Sequence, residues 1–157
     1  MSKPNFRKID IDALEEDAFS LEELEQEIGE TRPRHEVEAL VGSRAQEVRS
    51  LLQRGNIGAA LAKSLEDPPY GRDFDAAKER NTQTVMDVLN STKSSDVPQL
   101  VKELNPVDQD VLMKYLYKGM ASPEQYNSGV LLAWYEKLFE VAGQGCIVRV
   151  ITDRRTV

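Results

Sequence analysis

The feature that most constrains the fold is a series of amphipathic helical segments, which begins at Ser43 and is separated by residues that start or end helices. Ser43 can cap a first helix, and Gly55 can end it because glycine takes the left-handed conformation at little cost. Asn56 can then cap a second helix, which must stop before the Pro68-Pro69 pair. The tight corner between the two helices predicts an antiparallel hairpin. The residues predicted to face inward are Ala45, Val48, Leu52, Ile57, Ala60, Leu61 and Leu65.

Further helices are predicted along the rest of the chain. A third begins near Asp73 and ends before a Ser/Thr-rich break, and a short fourth follows it. Asn105-Pro106 and Ser122-Pro123 each place a capping side chain before a proline at the first helical position. They predict helices over roughly 106–120 and 123–142. The inward residues of the third and fourth helices are Ala77, Val85, Val88, Leu89, Val97, Leu100, Val101 and Leu104.

The last apolar run, at 146–151, favours a strand by propensity because it is rich in Ile and Val. We nevertheless predict a helix, since a solitary strand in a helical protein would leave its backbone groups without partners. This helix would follow a turn at 143–145 and bury Ile147, Val150 and Ile151. The predicted fold class is therefore all-α, with stacked antiparallel helical hairpins in an α-α superhelix-like arrangement and no fixed-length repeat.

The first part of the chain differs from the rest in charge. Residues 1–42 hold twelve acidic and five basic side chains, whereas residues 43–157 hold fifteen of each. Because a segment so charged cannot bury much by itself, we predict an extended, largely disordered N-terminal arm at 1–42 and a helical core domain at 43–157. One interpretation of the arm is a solvated acidic tail. The other is a docking arm anchored by Phe6, Ile9 and Ile11.

The same charge pattern limits the partners. Neither part carries the basic patch that nucleic-acid binding requires, and the acidic part would be repelled by an anionic membrane surface. No stretch has the apolar length of a membrane span or a secretory signal, so we expect a soluble intracellular protein. The lone cysteine, Cys146, cannot form an intramolecular disulfide, and with the lone histidine, His35, it cannot supply the four ligands of a zinc site. We expect protein partners, no cofactor and no metal.

The sequence offers few candidates for catalysis, and each has a simpler explanation. Cys146 and His35 form the one possible Cys/His pair, but nothing fixes their distance, and a buried structural cysteine is the usual case. The GQGC stretch lacks the third glycine of a dinucleotide fingerprint and the Lys-Ser/Thr of a P-loop, so we interpret it as a turn. We therefore predict no catalytic residues. The paired carboxylates are interpreted as capping groups near helix starts: Asp73, Asp75, Asp108 and Asp110.

The two helices predicted between 106 and 142 carry large apolar residues on more than one face. Trp134 continues a stripe with Val130 and Leu138, so we predict that it is buried. The other large residues are either central in the domain or covered by a partner protein, and the sequence leaves both options open. Met and aromatic residues favour the interface. The candidate partner-binding residues of the core are Met113, Tyr117, Met120, Tyr135 and Phe139.

A family resemblance runs along almost the whole chain, although the stretch 14–42 matches only in charge. It is carried by FRKIDID at 6–12, LQRGNIGAAL at 52–61, VLMKYLYKGMAS at 111–122, LLAWYEK at 131–137 and GCIVRVITDRRTV at 145–157. In this order the stretches resemble the sixteen-kilodalton subunit, subunit five, of the actin-related protein 2/3 complex. The strongest similarity is at 111–122.

The resemblance implies an all-helical, non-enzymatic subunit of the assembly that nucleates branched actin filaments. Its core is implied to dock against the twenty-kilodalton subunit and the forty-kilodalton propeller subunit, and its arm to reach actin-related protein 2. It also implies contact with actin filaments through the complex, in the cytoplasm at actin patches or branched networks. Two alternatives remain: a free-standing helical-repeat adaptor that binds peptides, and a small enzyme that uses Cys146. The arm residues implied in partner binding are Phe6, Arg7, Lys8, Ile9, Asp10 and Ile11.

Overall fold

The computed structural model describes residues 32–71 and 74–157, and the regular secondary structure in these ranges is helical. The helices are α1 (Arg34–Gln53), α2 (Ile57–Leu65), α3 (Asp75–Ser91), α4 (Val97–Glu103), α5 (Pro106–Met120) and α6 (Ser128–Thr152). Helices α1 and α2 pack together, α5 and α6 pack together, and α3 contacts all four. The all-α prediction is confirmed. No helix in the described part of the chain is long and apolar enough to span a membrane.

The first hairpin forms where the sequence predicts it. Gly55 has φ of +75°, which lets the chain turn after α1. The side-chain oxygen of Asn56 accepts a hydrogen bond from the backbone N–H of Ala59 at 3.2 Å and so caps α2. Helix α2 buries Ala60, Leu61 and Leu65 and ends before the two prolines, as predicted.

The predicted start of α1 is wrong, because the helix begins at Arg34 and Ser43 lies inside it. The Ser43 hydroxyl donates to the carbonyl of Leu40 at 3.0 Å instead of capping a helix end. The apolar stripe simply continues toward the N-terminus, where Val37 and Val41 pack with Phe74 and Ala77. The division of the chain at 42/43 stays a prediction about domains, although α1 runs through that point. Residues 1–31 of the predicted arm lie outside the described residues.

The main core lies between α2, α3, α5 and α6. Trp134 is 1% exposed, which confirms its predicted burial, and its indole N–H donates to the carbonyl of Leu89 at 3.4 Å. At Gly119 three helices come so close that an added Cβ would lie 2.6 Å from Met86 Cε and 2.9 Å from Leu131 Cδ1. The largest fully buried side chains of the described residues include Leu61, Leu65, Met86, Leu89, Leu112, Met113, Tyr115, Leu116, Trp134 and Leu138.

A polar network crosses the buried interface of α1 and α3. The guanidinium of Arg44 donates to Asn81 Oδ1 at 3.1 Å, and the Asn81 amide donates to the hydroxyl of Tyr115. Outside this network, Asp67 has φ of +43°, which is rare for a residue other than glycine. Arg32 holds its carboxylate with two hydrogen bonds of 2.7 and 3.0 Å, and Arg44 Nη2 lies 3.7 Å away. These cations fix the corner between α2 and α3.

Helix α6 differs from the prediction at its start. The residues after Ser122 form a turn, with the backbone N–H groups of Gln125 and Tyr126 donating to the Ser122 carbonyl. The helix begins only at Ser128, where the side chain of Asn127 accepts from Gly129 N at 3.0 Å. The Ser122-Pro123 signal therefore marks a single turn and not the cap of α6.

The helix predicted at 146–151 is confirmed as the second half of α6, which follows a break at Gly143. The predicted inward face is correct for Ile147 and Val150, which are half-buried and pack against the core. It is wrong for Ile151, which is 73% exposed, and it omitted Cys146, which is fully buried.

Candidate docking surface

The most unusual surface of the described chain is an aromatic ladder on the outer side of α5 and α6. It consists of Tyr117, Tyr135 and Phe139, together with Leu132. The rings of Tyr117 and Tyr135 meet edge to face with centroids 6.1 Å apart, and Tyr135 stacks on Phe139 at 6.2 Å with an angle of 11°. Leu132 is 55% exposed and Phe139 is 42% exposed. The ladder thus presents apolar area that nothing in the chain's described part covers.

Helical spacing explains how α6 can be apolar on two sides. Trp134 and Leu138 point into the core. Leu132, Tyr135 and Phe139 follow one another at three and four residues, so they form a second stripe along the same helix. Tyr117 on α5 continues this stripe across the interhelical groove. Partial burial and the hydrogen bond with the neighbouring Tyr135 raise the pKa of Tyr117 above its ordinary value.

The structure separates the predicted core contacts into surface and interior residues. Met113 has no exposed area, so it cannot touch a partner, and its assignment to the interface is withdrawn. Met120 is half-buried and packs against the core, as Tyr117 and Tyr135 also do. Leu132 was missing from the predicted set, although its spacing from Tyr135 and Phe139 could have identified it. The arm candidates at 6–11 lie outside the described residues.

The two residues considered for catalysis, Cys146 and His35, differ in their exposure to solvent. Burial raises the pKa of Cys146 to about 12, so this thiol stays protonated and is a poor nucleophile. His35 lies on the exposed surface of α1. Within 32–71 and 74–157, no group of three His, Cys, Asp or Glu side chains is arranged to hold a metal ion.

The carboxylates interpreted as caps behave in two ways. Asp108 lies in the first turn of α5, as predicted, and accepts a hydrogen bond from the side chain of Asn105, but the residue that caps the helix is Asn105. Asp110 is not a cap, because both of its oxygens accept from Arg149 at 2.6 and 2.8 Å. Asp110 lies one turn into α5 and faces α6, and residue preferences at helix starts do not predict such a tertiary contact. Asp75 lies in the first turn of α3, and Asp73 falls outside the described residues.

Fold and surface together define a small all-helical protein with a compact core and an uncovered aromatic face. Comparison with known proteins identifies its family. The chain belongs to the ARP2/3 complex 16 kDa subunit (p16-Arc) family, whose family model matches residues 5–157.

Curated relatives cover nearly the same length. Actin-related protein 2/3 complex subunit 5-B of Xenopus laevis is 39% identical over 152 residues, which are 97% of this chain and 94% of that protein. The human subunit 5-like protein is 38% identical over the same shares. Subunit 5 of Saccharomyces cerevisiae is 36% identical over 98% of both chains. This similarity supports membership of the actin-related protein 2/3 complex.

Proposed function

We propose that this chain is a non-catalytic structural subunit of the actin-related protein 2/3 complex, whose core docks on neighbouring subunits through the aromatic ladder. The observation that carries the proposal is that Leu132 and Phe139 stay open to solvent on a helix whose other side is fully packed. Exposed aromatic stripes of this kind are typical of protein interfaces. The docking partners we propose are the twenty-kilodalton subunit and the forty-kilodalton propeller subunit.

We further propose that the arm tethers actin-related protein 2 through Phe6, Ile9 and Ile11, while the core holds the chain in the complex. The residues between this anchor and α1 act as a tether, which makes the anchor's contact intramolecular at roughly millimolar effective concentration. The complex would act at branched actin networks in the cytoplasm. Because the two contacts are made by different parts of the chain, they should separate by mutation.

The ladder contact is tested by recovery of the complex with the double variant Leu132→Ala and Phe139→Ala. Loss of two central apolar contacts should lower co-purification with the other subunits by roughly tenfold or more. Val141→Ala is the matched control, because Val141 is 41% exposed on the same helix but lies outside the ladder. Normal recovery of the double variant would place the docking surface elsewhere. Urea unfolding of the chain should confirm that both variants are folded.

The arm contact is tested with the triple variant Phe6→Ala, Ile9→Ala and Ile11→Ala. Burial of each side chain would contribute about 1.5 to 3 kcal/mol before ordering costs, so the variant should release the arm. The complex should still assemble, because the ladder is intact, and its rate of filament branching should fall. Loss of the subunit from the complex would instead place the main docking site in the arm. Unchanged assembly with unchanged branching would leave the arm as a solvated tail.

A further inference from the structure

A second surface feature lies toward the N-terminal end of α5, and an adjoining groove beside Val150 and Arg155 separates it from Tyr117 of the aromatic ladder. A cavity of about 360 Å³ opens between the start of α5, the second half of α6 and the residues that follow α6. Val107, Val111 and Val150 contribute its apolar surface, and its charged lining holds three cations, Lys114, Arg149 and Arg155, and two carboxylates, Asp110 and Asp153. Val107 is 70% exposed, so the apolar part is open to a ligand.

The cations at this cavity can accept a further carboxylate. Arg149 is paired with Asp110 and Arg155 with Asp153, yet each arginine side chain keeps 53% of its area exposed. A guanidinium carries five N–H donors, and one carboxylate does not use them all. The chemistry at the opening therefore suits a peptide in which acidic side chains alternate with apolar ones.

The chain itself contains such a peptide. Residues 13–30 hold eight acidic and no basic side chains, and between them stand five large apolar residues: Leu14, Phe19, Leu21, Leu24 and Ile28. Nearly every apolar residue in this stretch has a carboxylate within two positions. Its charge is thus complementary to the arginines, and its apolar residues match the valines.

The first described residue after the stretch is linked to the cavity through a short piece of chain. Residue 32 is held by Asp67, and Tyr70, three positions further on, borders the cavity with its ring 5.2 Å from the Arg155 guanidinium. Leu24 lies eight residues before Arg32, a distance that an extended chain can span over about 25 to 30 Å. Because the contact is intrachain, even weak attraction would be effective.

We propose that the acidic stretch 13–30 docks on its own core at this cavity, with apolar side chains on the valines and carboxylates on Arg149 and Arg155. Docking would leave only the first residues, up to about position 12, free to reach another protein. The contact is independent of the aromatic ladder, so failure of either proposal leaves the other standing.

The test uses the full chain with Phe19 replaced by the photo-crosslinker p-benzoylphenylalanine. Irradiation followed by peptide mass spectrometry should give crosslinks to residues around Val107, Val150 and Arg155. Val107→Glu and Arg155→Glu should each lower the yield by about fivefold, because they add charge that repels the stretch. Lys102→Glu, a charge reversal at an exposed position of α4, should leave the yield unchanged. Raising the salt from about 50 to about 500 mM should also lower the crosslink yield, because salt screens the attraction between the carboxylates and the arginines.

Two features keep this test decisive. Val107→Glu should not impair folding, because its side chain is exposed and an acidic residue is favourable in the first turn of a helix. A mixture of isotopically heavy and light chains distinguishes intrachain crosslinks from contacts with a second copy. Crosslinks mainly between copies, to the aromatic ladder or to any other face would overturn the proposal. A crosslink yield that neither Val107→Glu nor Arg155→Glu changes would also overturn it.

Discussion

The two halves of α6, which meet at Gly143, are held to the protein in different ways. The first half buries Leu131, Trp134 and Leu138 and is secured by large apolar side chains. The second half fully buries only Cys146, packs Ile147 and Val150 half-buried against the core, and adds an ion pair of Arg149 with Asp110. Both halves are apolar in composition, so composition does not reveal how a helix is anchored. The attachment of each half depends instead on its position relative to the break at Gly143.

The residues after α6 extend the charged attachment. Lys114 donates to the Asp153 carboxylate at 2.7 Å and to the Arg155 carbonyl at 2.9 Å, and Lys118 donates to the carbonyl of Val157 at 3.1 Å. The Val157 side chain is buried against the core. The second half of α6 is thus held from both sides, by its own ion pair and by the segment that follows.

The largest effect should come from the first half. Trp134→Ala should lower the free energy of unfolding by about 3 to 5 kcal/mol, because it empties a large site in the core. It also leaves the Leu89 carbonyl without its indole donor. Urea unfolding followed by circular dichroism measures the change. A loss below about 1 kcal/mol would mean that the first half is not secured by burial of its large side chains.

A smaller loss is expected where the first half of α6 crosses α5. Gly119→Ala would push a methyl group into Met86 and Leu131 and should cost about 1 to 3 kcal/mol. Gly58→Ala on α2 is the matched control, since its Cβ would come no closer than 3.4 Å to Leu100. There the higher helix propensity of alanine should leave stability unchanged or raise it by up to about 1 kcal/mol. Equal effects at both positions would contradict the close crossing.

The smallest effect should come from the charged attachment of the second half. Partial burial opposes ionisation of Asp153, but hydrogen bonds from Lys114 and Arg155 outweigh it and lower its pKa to about 2. A carboxyl whose pKa is lowered on folding stabilises above its unfolded pKa of about 3.9 and loses this contribution as the pH falls toward 2.

Asp153→Asn should therefore cost about 1 kcal/mol or less at neutral pH, since Asp153 is partly solvated. The difference from the wild type should shrink between about pH 4 and pH 2. Unfolding curves of both proteins at several pH values measure it. A difference that does not change with pH would show that the second half is not held through this charge.

The helices could be predicted from the sequence because capping residues and apolar periodicity are local properties of the chain. Asn56 and Asn105 cap α2 and α5, and Gly55 turns the chain, as their residue types indicate. The errors occurred where tertiary packing overrides a local signal. Ser43 looks like a cap, but Val37 and Val41 have a packing site on Phe74, which extends α1 past it. Pro123 can start a helix, yet the turn at Ser122 ends at Tyr126, whose ring is buried.

The candidate surface was predicted only in part. Tyr117, Tyr135 and Phe139 stood out as aromatic residues on helices that were already apolar on another side. The exclusion of Met113 required the fold, because the packing of the other helices against α5 decides which of its faces is open. The cavity near Val107 was not predicted, since it depends on the direction that α6 takes after Gly143.

Gly143 has φ of +67° and ψ of −174°, a backbone region that is essentially restricted to glycine. One residue without a side chain therefore works as a joint that sets the angle between the part of α6 bearing the aromatic ladder and the part bearing Arg149. A continuous helix through this point would advance the following residues by a regular turn of about 100° each and point Arg149 and Cys146 in new directions. The relative orientation of the aromatic ladder and the cavity beside Arg149 is therefore set by Gly143, a residue that has no side chain and so makes no side-chain contact with either surface.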